Sequence, residues 1–332
     1  MARPEPTGIV EQFRGDFVET RHPFSAIALD PNGTVLQIGD NVVTPWRSAA
    51  KPFQLATSVE LLGDPELSPE QLAIGSASHN AEPVHVGHVL DLLDKFRIDP
   101  AQLRCGTHPP AHPPAAEAIL RRDGQFSDLH NNCSGKHTFM LAASHKHGWP
   151  LDYRPPEHPL QREIYRNVAL WAGVQPGLAT DGCGVPTFCL PLKNIARAWR
   201  QIAVDMAENS ELSRLGRIGS AMAQHTYLTS GRDRLDLAVV QAASAKMAVK
   251  VGAQGVFCIA IPKLQMGIAI KVHSGNSDAV APVIAHVLGH LAGDLWQLPD
   301  LWPHLQVRNV VGDLAGDWRI ARTGSSDQRL VS

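Results

Sequence analysis

No apolar run in these 332 residues is long enough to span a bilayer. The first residues, Met1 to Asp16, carry Arg3, Glu5, Glu11, Arg14 and Asp16 and lack an apolar h-region, so neither a membrane partner nor a secretory signal is expected. An excess of one charge is also missing: 30 basic and 32 acidic residues leave a formal charge of -2. Without a global field to draw in phosphate backbones, nucleic acid is not an expected partner. Cysteines are few: five, odd in number and widely spaced at Cys105, Cys133, Cys183, Cys189 and Cys258. That is no disulfide framework, and it points to a reducing compartment, most simply cytoplasm. Nucleotide signatures are absent as well. There is no G-x-G-x-x-G, and Gly135-Lys136-His137 lacks the upstream glycine and final Ser or Thr of a phosphate loop. His85 with His88, and His286 with His290, lack the glutamate of H-E-x-x-H and read as surface or structural histidines.

What the chain does hold is a globular balance, with 44% hydrophobic and 19% charged residues. Its length exceeds the usual domain without demanding two folding units, so one domain over 1–332 is expected, with a loosely ordered tail at 322–332. Between Phe24 and Asp40, SAIALD and VLQIGD flank Pro31-Asn32-Gly33 as a β-hairpin would. After Arg47, SAAKPFQLATSVELLG has helical spacing, with Pro52 in its first turn and Gly63 at its end. Helical patterns follow at about 83–96, 113–122, 135–146, 158–171, 187–201, 211–228 and 235–248. GVFCIAI and QMGIAIKV read as strands joined across Pro262 and Lys263, 278–292 as a last helix, and VRNVV as strand-like. Strands from both chain ends around a largely helical centre predict a mixed α/β (α+β) fold, a mixed antiparallel sheet with helices packed on it.

The first chemical constellation is S-x-x-K in Arg47-Ser48-Ala49-Ala50-Lys51. Helical positions three apart share a face, so the Ser48 hydroxyl and the Lys51 amine can come within hydrogen-bonding reach. Lysine activates serine only when neutral, which calls for burial of Lys51 and a second cation nearby. The small Ala49 and Ala50 would leave room for a substrate oxygen beside the helix start. Chance is the plain alternative, because S-x-x-K is common on solvated helix faces. Ser78-His79-Asn80 has the S-x-N spacing of penicillin-recognising enzymes, or forms an ordinary turn. Lys250-Val251-Gly252 stands where their K-T-G would and would supply the second cation, or is an exposed lysine at a strand edge. The order of the three motifs carries more weight than any one.

Two loops, 131–137 (NNCSGKH) and 180–187 (TDGCGVPT), open predicted helices, where backbone amides can hold an anionic group. Cys133 and Cys183 could ligate zinc if these loops meet, with Lys136 an unusual third ligand, or they are buried inert thiols.

Together RSAAKP, SASHN, NNCSGKH, TDGCGVPT and the lysine of KVG resemble the rhizobial-type L-asparaginases, the asparaginase II or class 3 family, over nearly the whole chain. The resemblance implies a serine β-lactamase- and glutaminase-like fold, a homodimer, and hydrolysis of L-asparagine to L-aspartate and ammonia. It puts two Ser-Lys tandems on Ser48 with Lys51 and on Ser78 with Lys250. It puts a zinc, shaping the pocket rather than activating water, on Cys133, Lys136 and Cys183. It also implies that Arg47, His137 and Asp181 surround the substrate. Asn80, where relatives can carry serine, and Gly184 depart from the family pattern and bear on how the substrate's side-chain amide is held.

On this reading Ser48, deprotonated through Lys51, attacks the amide carbon, and Ser78 and Lys250 relay protons. Arg47 and Asp181 offer opposite charges to the substrate's α-carboxylate and ammonium. Three readings compete. A penicillin-binding or β-lactamase-like hydrolase is opposed by Val251 and the missing export signal. A zinc amidohydrolase would attack through metal-bound hydroxide. A non-catalytic amino-acid sensor would have no need of a nucleophile and its base.

Overall fold

Asp30 accepts the backbone N–H of Asn32 at 2.7 Å, closing the turn that folds β2 (Phe17–Asp30) onto β3 (Gly33–Ile38). This is the hairpin expected between Phe24 and Asp40. The computed structural model describes residues 7–208, 211–297 and 299–321, so the tail expected at 322–332 lies outside the described residues. β1 (Gly8–Arg14) precedes the hairpin and pairs with the early half of β2. Its half-exposed, polar residues leave little periodicity to read. After β4 (Val43–Pro45), a 3-10 turn over Arg47–Ala50 runs into α1 (Lys51–Leu61), as expected after Arg47.

The helical centre comprises α2 (Pro69–Gly75), α3 (Pro83–Lys95), α4 (Pro113–Asp123), α5 (Ser134–Lys146) and α6 (Pro159–Ala172). Proline stands in the first turn of α1, α2, α3, α4 and α6, where its missing N–H leaves nothing unsatisfied. The short α2 goes unread in the sequence. Its start is set by a capping box between Ser68 and Gln71.

Three expected boundaries are corrected. Residues 187–191, expected as helix, lie in β6 (Pro186–Pro191), which pairs with β4 and with β5 (Gly177–Thr180); α7 (Leu192–Glu208) begins only afterwards. The pattern at 211–228 breaks at His225 into α8 (Arg214–Gln224) and α9 (Thr226–Thr229). The pattern at 235–248 stops with α10 (Leu235–Gln241), and Ala248 already belongs to β7 (Ala248–Gly252). In the first and third cases a partner strand offers ladder hydrogen bonds that outweigh local helical preference.

β8 (Val256–Ile261), β9 (Met266–Val272), α11 (Val280–Leu291), β10 (Gln306–Arg308) and β11 (Leu314–Ile320) complete the described chain. The main sheet runs β10-β11-β1-β2-β9-β8-β7, with β3 also on β2, and its pairings are antiparallel. This is the mixed fold expected, with strands from both chain ends. One face packs Ala248, Cys258, Ala260 and Ala269 against the helical region through Trp199 and Ile202. The other packs Phe257, Ile259, Ile268 and Ile270 under Val283, Ile284 and Val287 of α11. At Gly267 an added Cβ would lie 2.1 Å from the backbone nitrogen of Arg200, so only glycine lets α7 lie this close to β9. All five cysteines are free thiols. Among the described residues no helix is long and apolar enough to cross a membrane.

Candidate active site

Arg47 adopts φ 55°, a left-handed conformation rare outside glycine, as the chain turns from β4 into the 3-10 turn. Its N–H donates to Thr187 Oγ1 at 3.1 Å and its Nε to Asp181 Oδ1 at 2.7 Å, tying the turn to the TDGCGVPT loop. Burial pushes the Asp181 carboxyl up, but the Lys136 ammonium, the Gly182 N–H and Arg47 outweigh it and hold it low. The two groups expected to meet the substrate's charges are therefore paired with each other.

Ser48 is half-buried in the 3-10 turn, where side chains three apart eclipse, and so shares a face with Lys51. Ala49 and Ala50 follow Ser48 in the same turn. Both are buried in the core, and the Ala49 carbonyl accepts Trp199 Nε1–H at 3.2 Å.

Lys51 is 1% exposed. Its amine donates to Ala77 O at 2.5 Å and to Ser78 Oγ at 2.9 Å, with Asn132 O at 3.4 Å. The expected bond to Ser48 is not among them: two carbonyls and a hydroxyl from the SASHN and NNCSGKH loops hold the amine inward. Burial lowers its pKa, partly offset by Cys133, and the nearby Lys136 charge lowers it further. Lys136 is thus a cation beside Lys51 in addition to the expected Lys250.

Ser78 is 3% exposed, and its N–H donates to Thr229 O at 2.8 Å. Lys250 is not a solvated strand-edge lysine: it lies within β7 at 0% exposure. Its amine sits 3.3 Å from Val251 O and 3.9 Å from Asp236 Oδ1, and among the described residues it makes no hydrogen bond to Ser78. Burial, countered by Asp236 and reinforced by Lys51, brings its pKa down to about 7.

The two cysteine loops do meet. Lys136 Nζ lies 3.3 Å from Cys183 Sγ and Cys133 Sγ donates to Asn132 Oδ1 at 2.9 Å; the interaction of the two thiols lowers Cys183 to about 5 and raises Cys133 to about 12. Two sulfurs and an amine form a donor set that suits zinc. Among the described residues no group of three or more His, Cys, Asp or Glu is placed to hold a metal, so the lysine would have to complete the set.

His137 is fully buried, and its Nδ1 lies 2.9 Å from the Tyr153 hydroxyl. That hydroxyl also accepts the Arg104 N–H at 3.2 Å, an arrangement that suits Tyr153 as donor to Nδ1 and the imidazole hydrogen on Nε2. Nε2 is buried without a partner among the described residues. His79 Nδ1 accepts the Ala81 N–H, which directs its Nε2–H to Ser134 Oγ at 2.9 Å. Asn80 turns away to donate to Arg232 O at 2.9 Å, leaving its Oδ1 buried and unpartnered. Tyr153, Ser134 and Asp236 are the neighbours sequence reasoning missed. Ser134 stood inside NNCSGKH, whereas the other two carried no local signal.

The family profile described as L-asparaginase II matches residues 10–319. No curated protein sequence matches. Among solved structures, Mglu in its glutamate form is 14% identical over 80% of this chain and 60% of its own, with a TM-score of 0.45, so this chain spans about 60% of the length of Mglu. A Bacillus glutaminase is 15% identical over 82% of this chain and 90% of its own, with a TM-score of 0.45. A β-lactamase from Mycobacterium bovis is 13% identical over 80% and 94%, with a TM-score of 0.44.

Proposed function

Because the chain belongs to the L-asparaginase II family, we propose that it hydrolyses the side-chain amide of L-asparagine to L-aspartate and ammonia. The observation that carries the mechanism is the buried Lys51 amine within hydrogen-bonding distance of a serine, in a site that disfavours its charge. Ser48 is the nucleophile: its hydroxyl is the partly open one, and it eclipses Lys51 across one 3-10 turn. Lys51 takes its proton, with Ser78 beside it. The Ser48 oxygen bonds to the amide carbon, the C–N bond breaks with a proton delivered to the leaving nitrogen, and ammonia departs. Water then attacks the ester carbon, giving up a proton to the Ser78 and Lys250 side of the site; the ester C–O bond breaks, the Ser48 oxygen takes that proton back, and aspartate leaves.

The substrate's α-carboxylate and ammonium enter the Arg47–Asp181 pair, exchanging one half-buried ion pair for two. His137 presents Nε2–H as a donor, and Asn80 shapes the pocket by holding the 231–232 loop. Zinc, held by Cys133, Lys136 and Cys183, would supply fixed positive charge and lock the two loops together. The protein acts as a cytoplasmic homodimer on this reading, which follows the family resemblance and the free thiols.

A second reading has Ser78 as the attacking hydroxyl, favoured by its 2.9 Å contact with Lys51. Ammonia release from asparagine by wild type, Ser48→Ala, Ser78→Ala and Lys51→Ala tests both, with acid-quenched peptide mass mapping to locate the acyl group. Near-normal turnover by Ser48→Ala removes it as nucleophile, and an adduct on Ser78 installs the second reading. Acylation by a fluorescent penicillin would instead favour a penicillin-binding activity.

A further inference from the structure

Outside the candidate active site, a cavity of about 530 Å³ opens among side chains of the sheet face covered by α10 and α11. Asp236, near the start of α10, lines it. One carboxylate oxygen, Oδ1, accepts the Val251 N–H at 2.8 Å and lies 3.9 Å from the Lys250 amine. The other, Oδ2, has no partner among the described residues although Asp236 is only 1% exposed. A buried carboxylate oxygen left unpaired is costly unless a cation or donor reaches it. Two residues earlier, Arg234 lines the same cavity, and its guanidinium makes no hydrogen bond among the described residues. His304 offers its ring from the 3-10 segment Pro299–Leu305. The rest of the wall includes apolar Val251, Val307 and Trp318.

An unpaired carboxylate oxygen beside a free guanidinium is complementary to a molecule with both an ammonium and a carboxylate, and the apolar wall to a third, apolar group. We propose that this cavity is a second binding site, for a free α-amino acid with an apolar side chain. The ligand's ammonium meets Asp236 Oδ2, its carboxylate meets Arg234 and His304, and its side chain lies against Val251, Val307 and Trp318. Asp233, 3.6 Å from His112, and Asp278 stand at the same cavity and strengthen the preference for an ammonium there. Asp236 also faces Lys250 of the candidate active site, but the inference does not depend on the asparagine reading, because none of these residues is assigned to binding asparagine.

Isothermal titration of the full chain with L-leucine and with L-phenylalanine tests it. The expected result is one molecule bound per chain, with affinity falling about tenfold or more in Arg234→Gln and in His304→Gln and unchanged in Arg47→Gln. Asp236→Asn is a poor probe, since Oδ1 also holds β7 in place. Arg234→Gln and His304→Gln spare that contact, and circular dichroism checks that they fold. Absence of binding to wild type overturns the proposal. So does binding that survives both cavity variants, or that is lost only in Arg47→Gln, which would place the amino acid in the site already described.

Discussion

Replacing Lys250 with methionine keeps the aliphatic stem in β7 and deletes an amine that the fold has buried completely. The amine's pKa falls from an ordinary 10.5 to about 7, with burial the largest cause. The unfolded chain therefore holds this proton up to about pH 10, whereas the folded chain releases it near neutrality. Above 10.5 both states are neutral and Lys250 carries no ionisation penalty. As the pH falls from there, the unfolded state gains a proton that the folded state lacks, so stability declines by about tenfold in the unfolding constant per pH unit. Near pH 7 the decline ends, because the folded amine then protonates too. Across the window the cost sums to about 5 kcal/mol. Methionine cannot titrate, so urea midpoints measured from about pH 7 to about pH 10 should show wild type gaining on Lys250→Met as pH rises. The orphaned Asp236 adds a penalty of its own, and Lys250→Met with Asp236→Asn removes it without restoring the slope. Parallel curves for wild type and both variants would refute the reasoning, because they would mean the Lys250 amine keeps its ordinary proton affinity inside the fold.

Gly135→Ala places a Cβ 2.1 Å from the Ile74 carbonyl oxygen, which must part α5 from α2; a loss of about 1–3 kcal/mol is expected, and an unchanged melting temperature would contradict the packing. Trp199→Phe removes the 3.2 Å hydrogen bond to Ala49 O that backs the 3-10 turn, so we expect stability to fall by about 1–3 kcal/mol and turnover to drop with it. Turnover held at the wild-type rate would free the turn from this support. Cys133→Ser and Cys183→Ser should each purify with less zinc by elemental analysis, and unchanged content would move the metal elsewhere.

Much of the candidate site could be read before any coordinate. S-x-x-K, SASHN, NNCSGKH and TDGCGVPT each sit where the chain brings them into one cluster, and the two cysteine loops meet through Cys183 and Lys136. The errors share a cause. Residues 187–191 and 248 have helical spacing, yet each lies on a strand whose ladder outweighs it: Ala179 pairs with Thr187, Thr44 with Leu190, and Ala260 with Ala248.

The sequence by itself determined what is local: the hairpin at Pro31-Asn32-Gly33, the prolines that start the helices, and the side chains with chemistry to offer. Tertiary structure alone decided who partners whom. Lys51 turns to Ser78 because the carbonyls of Ala77 and Asn132, 26 and 81 residues away, converge on its amine. Lys250 loses its proton near neutrality because the sheet withdraws it from water. Hydrogen-bond geometry and dielectric environment are properties of the packed neighbourhood, and no spacing along a chain encodes them directly.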